Sequence, residues 1–270
     1  MLIHIGYEFI FQVPRPAAML LMLYLHPDKA PALQRPERIG VEPETPVEDF
    51  ADGFGNRAAR IVAPPGTVRI RYDNVVADSG HVEPRIDGLR LHPAHELPAE
   101  CWPYLLASRY CEVDRLSQMA WDLFGQTPES WERVQAVLDL VHGNVTFGYE
   151  FSRPTKTALD VFTERQGVCR DFQHLAIALL RSLNVPARYA TGYLGDIGVA
   201  ASPAPMDFAA WLEVYLGGAW RTVDARHNHP RIGRLLMARG RDAVDVALTT
   251  SFGPANLTGF TVWTEEVPAQ

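Results

Sequence analysis

The chain has 270 residues, of which 47% are hydrophobic and 21% charged, a composition that supports a sizeable buried core in one or two domains. Its 32 acidic against 25 basic residues leave a formal charge of -7 with no basic run. That excludes the positive footprint a nucleic-acid binder needs to displace counterions, and the longest apolar stretch, Ala17 to Leu25, is too short to span a bilayer.

Nothing basic heads the N-terminus and Glu8 interrupts it, so no signal peptide is expected. Leu2 to Phe11 and Ala18 to Leu25 are β-favouring runs parted by Pro14 and Pro16, which cannot donate in a sheet ladder. Arg57 to Ala63 and Thr67 to Ala77 follow, divided by the turn signal Pro64-Pro65-Gly66. Gly53 and Gly55 read as a hairpin turn, because no third glycine or following helix makes a phosphate loop. Periodicity lapses from Asp78 to Leu97. The reading is a β-rich domain over residues 1–80, a connector over 81–102 and a core domain over 103–270. Helical spacing then appears over Val113 to Phe124 and over Thr127 to His142, the second with Thr127 as cap and Pro128 in its first turn. A short helix is expected over Ala158 to Thr163.

Gly167-Val168-Cys169-Arg170-Asp171 runs straight into a strongly amphipathic helix, with Phe172, Leu175, Ala176, Leu179 and Leu183 on one stripe until Asn184 and Pro186 end it. Cys169 therefore stands in the first turn, where unpaired N–H groups and the helix dipole favour a thiolate, and Arg170 adds positive charge. Gly167 permits tight chain entry and close approach of a substrate backbone. A buried cysteine is also an ordinary small apolar residue, so this feature alone leaves both roles open.

After a strand over Ala187 to Tyr193, two alternating runs, Ala209 to Leu216 and Ala219 to Asp224, flank Gly217-Gly218 and predict a hairpin. With Leu216 opposite Ala219, Trp211 faces Asp224 and position 209 is the diagonal neighbour of Asp224, roughly 7–8 Å away on one sheet face. A histidine at 209 would be oriented by Asp224 and could meet a cysteine with its other nitrogen, the logic of nucleophile, base and orienting acid.

The segments Pro154 to Phe162, Gly167 to Phe172, Pro186 to Tyr189, Thr191 to Leu194, Met206 to Phe208, Ala210-Trp211, Glu213 to Leu216 and Asp224 to Asn228 together resemble the bacterial transglutaminase-like superfamily, which has a papain-like core and includes transglutaminases, thiol proteases and peptide amidases. The first eighty residues resemble the β-rich region that precedes this core in many such proteins. The resemblance implies an α+β fold, a cysteine on a helix N-terminus packed against an antiparallel sheet, and a Cys-His-Asp triad. It implies Cys169 as nucleophile, Asp224 as orienting acid, and a histidine between Phe208 and Ala210. The residue there is Ala209. Alanine can neither accept the thiol proton nor deliver it to a leaving amine.

No other histidine offers itself. His227 has the parity opposite to Asp224 and is expected on the other sheet face, while His229 shares the parity. His174 is five residues along the helix from Cys169, roughly 140° round it. His142 ends another helix, and His4, His26, His81, His92 and His95 lie in the N-terminal half. Loss of one triad member costs on the order of 10³–10⁶ in turnover, so an inactive or weakly active site with a high thiol pKa is expected. The otherwise intact Cys169 and Asp224 point to a recent or deliberate loss.

Gln166, Tyr149 and Trp102 are candidate oxyanion donors by residue type. Trp211 and Trp220 read as core aromatics, Cys101 and Cys111 as structural thiols. Three cysteines without a C-x-x-C pair fit a reduced, cytoplasmic setting. Arg226, Arg231, Arg234, Arg239 and Arg241 are expected to cover a surface. No cofactor or metal motif is present. The expected partner is a peptide or protein substrate, cleaved or transferred through a Cys169 thioester, with a non-catalytic peptide- or protein-binding module as the alternative; neither nucleic acid nor membrane is expected as a partner.

Overall fold

The computed structural model describes residues 1–84 and 86–268. The N-terminal half builds β1 (Leu2–Val13), β2 (Ala17–Leu21), β3 (Gly40–Glu42), β4 (Glu48–Ala51), β5 (Arg57–Ala63) and β6 (Gly66–Ala77). Helices α1 (Val113–Phe124) and α2 (Trp131–Asn144) follow, then β7 (Thr146–Phe147), α3 (Ala158–Glu164), β8 (Gln166–Gly167) and α4 (Cys169–Ser182). The chain continues through β9 (Ala187–Tyr193), β10 (Ala209–Leu216), β11 (Ala219–Val223), β12 (Leu235–Gly240), β13 (Thr249–Phe252) and β14 (Asn256–Glu266).

Alternation makes the first layer. Ile3, Ile5, Tyr7, Phe9, Phe11 and Val13 of β1 are all buried, and the antiparallel register Phe9↔Ile70 sets Val68, Ile70, Tyr72 and Val76 of β6 on the same face. Among the described residues, two four-stranded sheets, ordered β14-β1-β6-β3 and β13-β2-β5-β4, share one apolar core that also takes Met19, Leu21 and Ile61. The β-rich layer therefore does not stop near residue 80. β13 pairs with β2 and β14 with β1, so the last strands return to the first sheets instead of staying with residues 103–270. Unpaired N–H and C=O groups along the β1 and β2 edges give the physical reason: they need partners, and the C-terminal segment supplies them.

In the second layer α4 is almost wholly buried, with α1, α2 and α3 on one side and the sheet β11-β10-β9-β12 on the other. Even-numbered Ala210, Leu212, Val214 and Leu216 of β10 join the helical core, while Ala209 and Trp211 face away with Ala190, Leu194 and Leu236. The β10–β11 hairpin has the predicted register, Leu216↔Ala219, and both turn glycines have positive φ, 59° and 78°, as a two-residue primed turn requires. α2 starts later than expected. Ser130 takes the extended N-cap conformation, whereas Thr127 Oγ1 donates to Phe124 O (2.6 Å) and helps close the end of α1. No helix among the described residues is long and apolar enough to cross a membrane.

Candidate active site

Cys169 is the first residue of α4. Asp171 holds that turn: its Oδ2 accepts from Val168 N (3.0 Å), satisfying one of the N–H groups a helix start leaves open, and its Oδ1 accepts from Arg170 Nε (3.0 Å). The turn is tight enough that a Cβ on Gly167 would lie 2.6 Å from Asp171 Cβ, so a side chain there would push the helix start aside. The parallel pair β7–β8 fixes Gly167 beside Phe147, and the buried Lys156 donates to Gln166 O (3.0 Å).

Cys169, Tyr189, Asp207, Phe208, Ala209 and Ala210 line one cavity of about 380 Å³. Burial pushes the Cys169 thiol up to about 11, and the Asp207 charge acts in the same direction. The Arg226 guanidinium and the backbone N–H groups of Arg170 and Ala210 favour the thiolate but do not outweigh burial. The structure thus brings Cys169 and position 209 together on one cavity, with no imidazole from position 209 to share the thiol proton.

Asp224 stands just past the end of β11 and is buried. Its Oδ1 accepts from Gln173 Nε2 (3.0 Å), Arg226 N (2.9 Å) and His227 N (3.2 Å), and its Oδ2 lies 2.9 Å from His227 Nδ1 and 3.2 Å from Arg234 Nη1. Burial alone would raise the carboxyl, but the hydrogen bond with His227 and the Arg234 charge hold it well below the usual carboxylate range. Gln173 links this carboxylate to the helix that Cys169 opens. It lies one turn beyond Cys169 on α4 and also bonds Ala210 O (3.2 Å) and, through Oε1, Ala225 N (3.1 Å). Asp224 itself does not line the cysteine cavity; it borders a separate one of about 290 Å³ with Trp131 and His229.

His227 does not point to the other face of the sheet, because β11 ends at Val223 and residues 225–227 form a turn in which strand parity no longer applies. The arginines beyond it are not all a surface cover: Arg231 and Arg234 are buried, and Arg234 lies 4.8 Å over the Trp211 ring while bridging Glu83 (2.7 Å) and Asp224. The other histidines lie elsewhere. His174 is buried and its Nε2 accepts from Ala243 N (3.1 Å), while His142 Nδ1 lies 2.7 Å from Arg226 O.

Of the three candidate oxyanion donors, Tyr149 is within electrostatic reach of Cys169, Asp207 and Arg226. None of the three lines the cysteine cavity. Trp102 belongs to the 3-10 helix Ala99–Tyr104, whose Tyr104 packs 5.3 Å edge-on against Trp220 toward the turn end of the hairpin, so that segment serves the opposite end of β10. Cys101 and Cys111 are fully buried free thiols. Gln173 and Asp207 shape the site with no role assigned to them in the sequence, and Arg234, expected on the surface, joins them. Only Gln173 carried a signal, its i+4 position from Cys169.

The model of the transglutaminase-like superfamily matches residues 118–225. A crystal structure of a candidate cysteine protease from Cytophaga hutchinsonii is 31% identical, superposes with a TM-score of 0.85, and is matched over 100% of this chain and 92% of that one. An uncharacterised protein of Mycobacterium leprae is 32% identical over 93 residues, 34% of this chain and 33% of that protein, so the chain spans about a third of the length of this curated relative. The periplasmic domain of TgpA from Pseudomonas aeruginosa is similar at 15% identity and a TM-score of 0.40, over 82% of this chain and 89% of that domain.

Proposed function

This chain belongs to the transglutaminase-like superfamily, and from that membership we propose that it carries a disarmed acyl-transfer centre for peptide or protein amides. In an armed site the Cys169 thiolate adds to an amide carbonyl, the amine leaves with a proton from the base, and water or a second amine resolves the thioester. Cys169 is the nucleophile in this reading, Asp224 the orienting acid, and Ala209 stands where the base belongs. With no imidazole to take it, the thiol proton stays on sulfur at neutral pH. The observation that supports the reading is the shared cavity of Cys169 and Ala209, together with the Gln173 bridge from α4 to Asp224.

The test is Ala209→His. Gain of amide hydrolysis, or of amine incorporation into a glutamine peptide, by about 10³-fold or more over the parent chain is the expected outcome. The His227–Asp224 contact makes a control necessary, since an imidazole held by a buried carboxylate is itself a base arrangement. Activity in the unmodified chain that His227→Gln abolishes would overturn the vacant-base reading. The retained cavity favours peptide binding without turnover as the second reading. No gain in Ala209→His, with peptide still bound, selects it.

A further inference from the structure

The cysteine cavity holds a charge that has no ionic partner among the described residues. Asp207 lines it, half-withdrawn from water, and among the described residues its one side-chain hydrogen bond comes from its neighbour's backbone, Phe208 N to Oδ1 (2.7 Å). Among the described residues no arginine, lysine or histidine lies within ion-pair distance of it; Arg226 acts on it only through space, its guanidinium resting 3.7 Å over the Phe147 ring. The other charged residue of the cavity, Arg170, is committed to Asp171 and, through Nη2, to Arg153 O (2.9 Å). Around them the walls are Phe208, Val244, Val246 and Leu248. A carboxylate that loses hydration without gaining a counter-charge is unfavourable, and burial accordingly pushes the Asp207 carboxyl up.

We infer that Asp207 seats a positively charged group of a peptide ligand, a basic side chain or a free α-amine, beside Cys169. The inference rests on the reading of Cys169 as the reactive centre and gives that site its substrate class. It also has a chemical consequence. Asp207 now disfavours the Cys169 thiolate, and a cation seated between them reverses that influence. The ligand itself therefore helps to ionise the thiol.

Charge-selective thiol reagents test this on the unmodified chain. Cys101 and Cys111 are 0% exposed, so labelling in the native state reports Cys169. With cationic aminoethyl methanethiosulfonate or anionic sulfonatoethyl methanethiosulfonate, the Cys169 thiolate attacks the sulfenyl sulfur, a mixed disulfide forms and methanesulfinate leaves. Relative to free cysteine, the cationic reagent is expected to be faster by about tenfold or more, with the preference collapsing in Asp207→Asn and surviving in Asp207→Glu. A preference unchanged in Asp207→Asn, or a faster anionic reagent, overturns the inference. A second arm separates the two sources of charge by protection of Cys169 from iodoacetamide. Doubly capped Ala-Ala-Lys-Ala protecting identifies a basic side chain, uncapped tetra-alanine protecting identifies an α-amine, and equal protection by doubly capped tetra-alanine overturns the inference. Neither arm requires turnover, so failure here is distinguishable from failure of Ala209→His.

Discussion

Gln173 Nε2 lies 3.0 Å from Asp224 Oδ1, so a side chain on α4, the helix that Cys169 opens, holds the carboxylate that stands at the end of the hairpin. The same amide reaches Ala210 O and Ala225 N, which makes it the fastener between α4, β10 and the turn after β11. Gln173→Leu keeps the volume and removes all three bonds in a fully buried place. The expected loss is about 2–4 kcal/mol of unfolding free energy, measured by urea denaturation, because the partners left behind are desolvated and unpaired.

Asp224 predicts an acid-dependent stability. Its folded pKa is depressed below the ordinary 3.8, so its stabilisation is complete above about pH 4 and fades as pH falls toward the folded value. Asp224→Asn is expected to cost about 3–5 kcal/mol at pH 7, leaving Arg234 and His227 without their carboxylate. The gap between the two proteins, followed by thermal melts from pH 7 to 2, should narrow below pH 4 and not above it. A constant gap would place the stabilisation elsewhere.

The Cys169 thiol, pushed from 9.0 to about 11, keeps about a hundredfold less thiolate at neutral pH than an unshifted thiol. Iodoacetamide alkylation is therefore expected to be slow at pH 7 and to climb through pH 10. In Ala209→His the pH profile should move down as an imidazole begins to share the proton. Fast alkylation of the unmodified chain at pH 7 would contradict the described environment.

Gly167→Ala brings a methyl group to 2.6 Å from Asp171 Cβ, closer than packed carbons come. Relief requires moving the first turn of α4, the turn that carries Cys169. A destabilisation of about 1–3 kcal/mol is expected, with a changed Cys169 labelling rate as the sign that the turn has moved. Gly143→Ala, where nothing lies within 4 Å of the added carbon, is the control and should be near neutral or stabilising.

Local rules carried far along this chain. The Gly217-Gly218 turn fixed the β10–β11 register in advance, and the apolar stripe from Phe172 to Leu183 located α4 with Cys169 at its start. What failed was nonlocal or fell at element ends. No local feature of residues 249–266 announces that they pair with β1 and β2. His227 was misplaced because alternation was carried beyond Val223, where the ladder stops. Thr127-Pro128 resembled a helix start, but Thr127 closes the helix before it. Asp207 and Arg234 gained their roles only from what the fold sets beside them, an empty cavity wall in one case and the Trp211 ring in the other.

The pairing of Ile3 with Glu266 joins two points almost a whole chain apart. As the polypeptide emerges from a ribosome, β1 can zip to β6 early, yet its far side stays bare until the final strand arrives. The α4 region can gather its own neighbours in the meantime, so the half made first is the half completed last.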